Sequence, residues 1–343
     1  MRIAVVGGTW FLGKAVVEAA LARGWAVTTF NRGRSGTDLP GVEAVHGDRT
    51  VPADLEALAA RGPWDAVVDT SASEMAPRDV LLGAGRLAAH TRRYVYVSTV
   101  SVYEGWPDER LTVQSPVLDG PPDADATYGA MAPGASGPNL HYGRQKAGAE
   151  RAVLAALGAE RTAILRPGVI LGPGEYVGRL PWWLRRAARG GPILAPGSPG
   201  QTIQPVDVRD VADFILAQAT GSGPAVHNVA APIGRDTMGS FLRGCLAATG
   251  GSGELIWVPD DFLVERGVRQ WTELPLWRTH AGVWQVDAST AVAAGFRARP
   301  LEETVRDTWA WLSADGRPVE HPRAADHGLD ADKERQLLAA ARR

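Results

Sequence analysis

Along the first half of the chain, short β-branched runs alternate with alanine-rich stretches whose apolar positions recur at helical spacing. A strand repeats its buried face every two residues and a helix every 3.6, so this alternation predicts strands and helices in turn. "RIAVVGG" (2–8) reads as a first strand and Phe11 to Arg23 as an amphipathic helix. "WAVTTFNR" (25–32) and "VEAVHGD" (42–48) follow as strands, then "LEALAARG" (55–62) as a helix. "DAVVDTSA" (65–72) is a fourth strand, Arg78 to Ala89 a helix, and "RRYVYVSTVSVY" (92–103) a fifth strand. A long helix from Tyr142 to Leu157 leads to a sixth strand, "RTAILRPGVILG" (161–172). Strands alternating with helices predict an α/β fold, a doubly wound parallel sheet of the dinucleotide-binding (Rossmann) kind.

Beyond Gly172 the pattern loosens into a proline- and glycine-rich region. There "RLPWWLRRAARGG" (179–191) reads as a helix, and 197–219 as a short strand followed by a helix. The expected organisation is a dinucleotide-binding domain over 1–172, to which 202–220 returns. A smaller, mainly substrate-binding lobe over 173–315 and a charged helical tail over 316–343 complete it, the tail reading equally well as frayed surface. Such a lobe is expected at the C-terminal edge of the sheet, where open α/β folds bind ligands.

Composition narrows the class. With 343 residues and 45% apolar content the chain can bury one large core or two modest ones, and 22% charged residues is ordinary for a soluble protein. The 36 basic and 38 acidic residues leave a formal charge of −2, so nucleic acid is not an expected partner. Cys245 is the single cysteine, which excludes an intramolecular disulfide and a thiolate metal cluster and agrees with a reducing cytosol. No apolar run approaches the roughly 20 residues of a membrane span. A cytoplasmic protein acting on a small molecule, with no membrane partner and no metal, is expected.

The first turn carries the first chemistry. In a dinucleotide turn the first glycine permits the bend, the second lets backbone N–H groups approach the pyrophosphate, and the third lets helix and strand pack. Gly7 and Gly13 hold the outer positions and Trp10 stands at the middle one. The helix N-terminus still faces the phosphates, so Trp10 removes one close approach and not the site. Gly7, Thr9, Trp10, Phe11, Leu12 and Gly13 form the expected cofactor turn, joined by Thr70 and Ser71 at the end of the fourth strand and by Ser98. The second strand ends in Asn31, with Arg32 and Arg34 beyond it, where an NAD site would place a carboxylate for the ribose hydroxyls. Guanidinium groups pair with a 2′-phosphate, so NADP(H) is favoured and NAD(H) admissible. Asp48, after the third strand, is placed to contact the adenine amino group.

Tyr142 and Lys146 stand four apart at the start of a helix and share one face. A phenol titrates near ~10 and becomes a useful acid–base group near neutrality only beside a cation, which Lys146 supplies. Lys146 also reaches toward the nicotinamide ribose. Upstream, alternation along "VSTVSVY" sends Ser98 one way and Thr99 and Ser101 the other. Thr99 is the chosen donor to a substrate carbonyl, with Ser98 and Ser101 in reserve and Ser101 beside the substrate.

At this point the sequence resembles an extended short-chain dehydrogenase/reductase of the NAD-dependent epimerase/dehydratase family. "GGTWFLG", "FNRGR" and "HGDR" are similar to the atypical branch that includes chloroplast stem-loop-binding proteins. The resemblance implies that Tyr142 is the general acid or base, that Lys146 lowers its pKa and holds the ribose, and that Thr99 aligns the reacting oxygen. It further implies backbone contacts to the cofactor from Pro167 and Val169 in "RPGVILGPG", and it allows a homodimer, since relatives often pair through the helices flanking the active site.

Within that family, Val100 and Ser101 stand where a 4,6-dehydratase carries an Asp-Glu pair, and Ile203 where sugar-nucleotide members often carry an arginine. A ketone/secondary-alcohol oxidoreductase, running in the reductive direction, is the resulting expectation. A sugar or cyclitol epimerase working through a transient ketone is the alternative, and a non-catalytic nucleotide- or RNA-binding protein is the alternative from another class. Trp182 and Trp183, with Trp271 and Trp277, point to an apolar or ring-shaped substrate. Arg179 is a candidate anion contact, while Arg185 and Arg186 read as a solvated helix face.

Overall fold

The computed structural model describes residues 1–34, 36–70, 75–131, 140–314 and 327–341. In chain order its first elements are β1 (Arg2–Val6), α1 (Phe11–Ala22), β2 (Ala26–Asn31), β3 (Glu43–His46), α2 (Pro52–Ala59), β4 (Trp64–Asp69), α3 (Pro77–Leu87), β5 (Thr91–Val97), α4 (His141–Leu157) and β6 (Thr162–Pro167). They are followed by β7 (Ile170–Leu171), α5 (Arg179–Ala188), β8 (Pro192–Pro196), β9 (Thr202–Ile203), β10 (Val206–Asp207), α6 (Val208–Ala219) and β11 (Ala225–Val229). β12 (Asp236–Thr237), α7 (Met238–Thr249), β13 (Glu254–Val258), α8 (Asp260–Glu265), α9 (Ser289–Ala293), α10 (Leu301–Ser313) and α11 (Ala331–Ala341) complete the chain.

Two compact units result. The first holds residues 1–168, 209–229 and 286–297. Its centre is a seven-stranded parallel sheet in the order β11-β6-β5-β4-β1-β2-β3, with Val5 opposite Thr29 on one side and Val68 on the other. The order reverses between β1 and β4, which is the switch point where such sheets bind ligands at their C-terminal ends. Ile3 to Val6 are wholly or almost wholly buried, as a strand covered on both faces requires. One face packs Phe30, Leu55, Leu58, Trp64, Val80, Tyr94 and Val153 into a continuous core.

The second unit holds the described residues within 169–208, 230–285 and 298–343. Small pairings build it: β7 with β10 and β8 with β13 run parallel, and β9 with β12 antiparallel. Helices α5, α7 and α10 pack on one another. The units divide at Gly168 and not at Gly172, and 286–297 belongs with the first. Asn228 Nδ2 donates to the Asp287 carbonyl at 3.1 Å, and the Phe214 and Phe296 rings meet at 5.4 Å, which ties that segment to β11 and α6.

Two strand readings are corrected. β5 stops at Val97, because Thr99 caps a 3₁₀ turn over Val100–Val102 by accepting the Ser101 amide at 3.2 Å. The sixth strand divides at Pro167, and Gly168 N–H turns to donate to the Val229 carbonyl at 3.1 Å. Nor is the tail frayed where it is described, since α11 buries Glu334, Leu337 and Leu338. No described helix is long and apolar enough to cross a membrane.

Candidate active site

The glycine turn is built as its sequence requires. Gly7 and Gly8 take φ of +104° and +110°, a region that side chains disfavour, and Gly7 N–H donates to the Phe30 carbonyl at 2.9 Å. A Cβ at Gly13 would lie 2.6 Å from the Gly8 amide nitrogen and 2.8 Å from Thr70 Oγ1, so α1 sits against the turn only because residue 13 has no side chain. Thr70 Oγ1 in turn donates to the Val6 carbonyl at 3.2 Å. Trp10 has ordinary extended dihedrals (φ −113°, ψ 156°), and its carbonyl accepts the Lys14 amide at 2.7 Å to start α1. A tryptophan there strains nothing. No side chain caps α1 and no acidic residue stands in its first turn, so the helix end suits an anionic diphosphate. Thr9, Phe11 and Leu12 are half-buried around it, and Ser71 lies outside the described residues.

At the end of β2, Asn31 Oδ1 accepts the Gly33 amide at 2.7 Å, and Arg32 and Arg34 are exposed. Asp48 Oδ1 accepts both the amide and the hydroxyl of Thr50, at 2.9 and 2.8 Å. Those bonds hold its pKa below the usual carboxylate range, with the charges of Arg32 and Arg34 assisting against a small burial effect. Asp38 escaped the sequence reading. Its Oδ1 accepts Asn31 Nδ2 at 3.0 Å and its Oδ2 meets His46 Nε2 at 2.7 Å.

Helix α4 carries Tyr142 and Lys146, the pair expected from the sequence to move a proton. Gly143 lets it settle on the strand end, because a Cβ there would collide with the Ser101 carbonyl oxygen. Tyr142 is 39% exposed, whereas Lys146, one turn on, is buried at 3%. Lys146 Nζ donates to the Val97 carbonyl at 2.6 Å and lies 4.4 Å from the Tyr96 ring centroid. Burial pulls its pKa down to about 8, while the carboxylates of Asp69 and Glu150 pull the other way. The ammonium form still predominates at neutral pH.

Two buried ion pairs frame this lysine. Arg49 grips Asp69 through both terminal nitrogens at 2.9 and 2.8 Å, and Tyr94 donates to the same carboxylate at 2.9 Å. Arg166 grips Glu150 at 2.9 and 2.6 Å and donates to the Tyr103 hydroxyl, which donates to Asn228. Glu150 follows Lys146 by four residues, so a helical-face reading of α4 extended by one turn would have found it. Ser98 Oγ donates to Glu150 at 2.5 Å in a buried position. Thr99 Oγ1 and Ser101 Oγ form a pair at 3.3 Å. Thr99 and Ser101 therefore meet through the 3₁₀ turn and not through strand alternation. Pro167 is buried at the end of β6, and Val169 belongs to the second unit.

In the second unit, Trp183 is 1% exposed and its indole N–H donates to the Pro275 carbonyl at 2.8 Å. Trp277 is fully buried and donates to Asp260 Oδ1 at 2.7 Å. Both are packing residues of that unit's core. Trp182 is half-buried, edge-on to Trp183 at 4.6 Å, and Trp271 lies beneath the guanidinium groups of Arg179 and Arg278 at 5.0 and 4.3 Å. Arg185 is exposed, but Arg186 is not part of a solvated face: it is buried and bonded to Glu334 at 2.9 and 2.8 Å.

Residues 3–230 match the NAD dependent epimerase/dehydratase family. The chain is 29% identical over 255 residues to dTDP-6-deoxy-L-talose 4-dehydrogenase (NAD(P)(+)) of Kitasatospora kifunensis, covering 66% of this chain and 73% of that one. It is 31% identical over 242 residues to 2-alkyl-3-oxoalkanoate reductase of Stenotrophomonas maltophilia, covering 66% and 68%. Among solved structures, the Bordetella bronchiseptica enzyme WbmH in complex with NAD+ superposes with a TM-score of 0.66 at 18% identity, over 92% of this chain and 99% of that one. UDP-glucose 4-epimerase of Thermus thermophilus in complex with NAD gives 0.63 at 21%, over 92% and 100%.

Proposed function

Because the chain belongs to the NAD-dependent epimerase/dehydratase family, and is thereby an NAD(P)-dependent enzyme of the short-chain dehydrogenase/reductase type, we propose that it interconverts a ketone and a secondary alcohol on a small-molecule substrate. The observation that carries the reading is the pairing on α4 of an exposed Tyr142 with a buried, charged Lys146 one turn away, beside the Thr99–Ser101 hydroxyls.

The residues present fit a dinucleotide. Gly7, Gly8 and Gly13 shape a turn with no side chain over it from those three positions, α1 presents its N-terminus, and Arg32 and Arg34 offer cations at the adenosine end. We assign NADP(H) as the favoured cofactor on the strength of those two arginines, with NAD(H) also accepted. When bound, the nicotinamide supplies or removes a hydride. The chain's own work is proton transfer and orientation. In the reductive direction Tyr142 gives its phenolic proton to the carbonyl oxygen that becomes the alcohol, and Thr99 donates a hydrogen bond to the same oxygen. The Lys146 ammonium stabilises the phenolate left behind, and the Val97 carbonyl holds that ammonium in place.

The relatives named above act as a dehydrogenase and a reductase, which supports this reading over a binding protein. Ile203, fully buried, offers no charge to a nucleotide diphosphate, which supports it over a sugar-nucleotide epimerase. Tyr142→Phe removes the transferable proton and little else. Turnover with a ketone panel should fall by about 10²-fold or more while NADPH binding, followed by its fluorescence, persists. Undiminished turnover in Tyr142→Phe would overturn the assignment.

A further inference from the structure

The end of β2 carries no acidic residue, yet the fold returns one to it. Asp38, seven positions after Asn31, places Oδ1 3.0 Å from the Asn31 amide nitrogen, at the strand end where dinucleotide sites hold the adenosine ribose. His46, the last residue of the neighbouring strand β3, fixes Oδ2 at 2.7 Å. The opposite end of the Asn31 side chain accepts the Gly33 amide, so one asparagine closes the turn that carries Arg32 and links it to Asp38. The same strand end therefore presents a carboxylate and two guanidinium groups. These have opposite preferences: a carboxylate accepts from a ribose 2′-hydroxyl and repels a 2′-phosphate, and an arginine pairs with the phosphate.

We propose that Asp38 is a specificity-determining residue for the cofactor: its carboxylate supplies the ribose 2′-hydroxyl acceptor that β2 itself lacks, so the site takes NADH alongside NADPH and Asp38 sets the ratio. The inference rests on the NAD(P) reading above. Burial acts to raise the Asp38 pKa, but the hydrogen bonds from His46 and Asn31 outweigh it and hold the carboxyl below its usual range, so the group is ionised at neutral pH. If Asp38 were only a clasp for the turn, its loss would loosen the site for both cofactors alike.

The test is a set of fluorescence titrations with NADPH, NADH and the analogue of NADH that has 2′-deoxyadenosine. Wild type should bind the 2′-deoxy analogue about tenfold more weakly than NADH, the worth of one hydrogen bond to a charged group. In Asp38→Asn that difference should disappear, and the preference for NADPH over NADH should rise about tenfold. Asp38→Ser serves as a second variant should the first misfold, with the same expectation. An unchanged NADPH:NADH ratio and an unchanged 2′-deoxy penalty in a folded variant overturn the role of Asp38 and leave the NAD(P) reading standing. A wild type that binds neither NADH nor NADPH overturns both.

Discussion

Lys146→Met is expected to abolish turnover and make the protein more stable. The native state keeps this side chain buried at 3%, and burial lowers its pKa from 10.5 to about 8. At 1.36 kcal/mol for each tenfold change in proton affinity, holding the ammonium inside at pH 7 costs roughly 3 kcal/mol. Methionine fills similar volume without a charge, but it forfeits the hydrogen bond to the Val97 carbonyl, worth roughly 1 to 1.5 kcal/mol. The net gain should be about 1 to 2 kcal/mol at pH 7. The sign of its pH dependence follows from proton counting. Between about 8 and 10.5 the unfolded chain binds more protons at this site than the native one, so wild-type stability rises with pH across that window. The advantage of the variant should therefore shrink as pH climbs from 8, reverse at about pH 9, and level off above about 10.5. Urea unfolding of both proteins at pH 7, 9 and 10 measures it. A variant less stable than wild type at pH 7, or a stability difference that ignores pH, would refute the reasoning.

Gly13→Ala should weaken dinucleotide binding and lower stability by roughly 1 to 3 kcal/mol, because the new methyl meets the Gly8 backbone at 2.6 Å; calorimetric titration and thermal melts read the two effects. Arg32→Ala should weaken NADPH far more than NADH in fluorescence titrations, since only the former carries a 2′-phosphate. Glu334→Ala leaves Arg186 buried without its carboxylate and should destabilise the second unit by about 3 to 5 kcal/mol in urea unfolding, with Glu334→Asp partly restoring it.

The β/α units of the first half were legible because buried parallel strands and amphipathic helices leave separate periodicities in the chain. The order of glycine turn, strand-end hydroxyls and Tyr-x-x-x-Lys was legible for the same reason: each is local. What escaped was pairing across distance. Arg186 and Glu334 lie 148 positions apart, and nothing near Arg186 distinguishes it from a surface arginine. Asp38 reads as a loop residue until the fold returns it to Asn31. The extended reading of 92–103 failed because β-branched residues mark strands only statistically, and one hydroxyl on Thr99 turned the backbone aside. Trp183 and Trp277 look alike as pocket-lining candidates in sequence, and only burial reveals that both are structural.

Trp10 shows how the nucleotide cradle divides its labour. The peptide at that position follows a path open to every L-amino acid, so the left-handed backbone that the turn needs is left to Gly7 and Gly8. What residue 10 contributes to the cradle is therefore carried by its half-buried indole and not by its peptide, so a substitution there acts through the contacts of that ring.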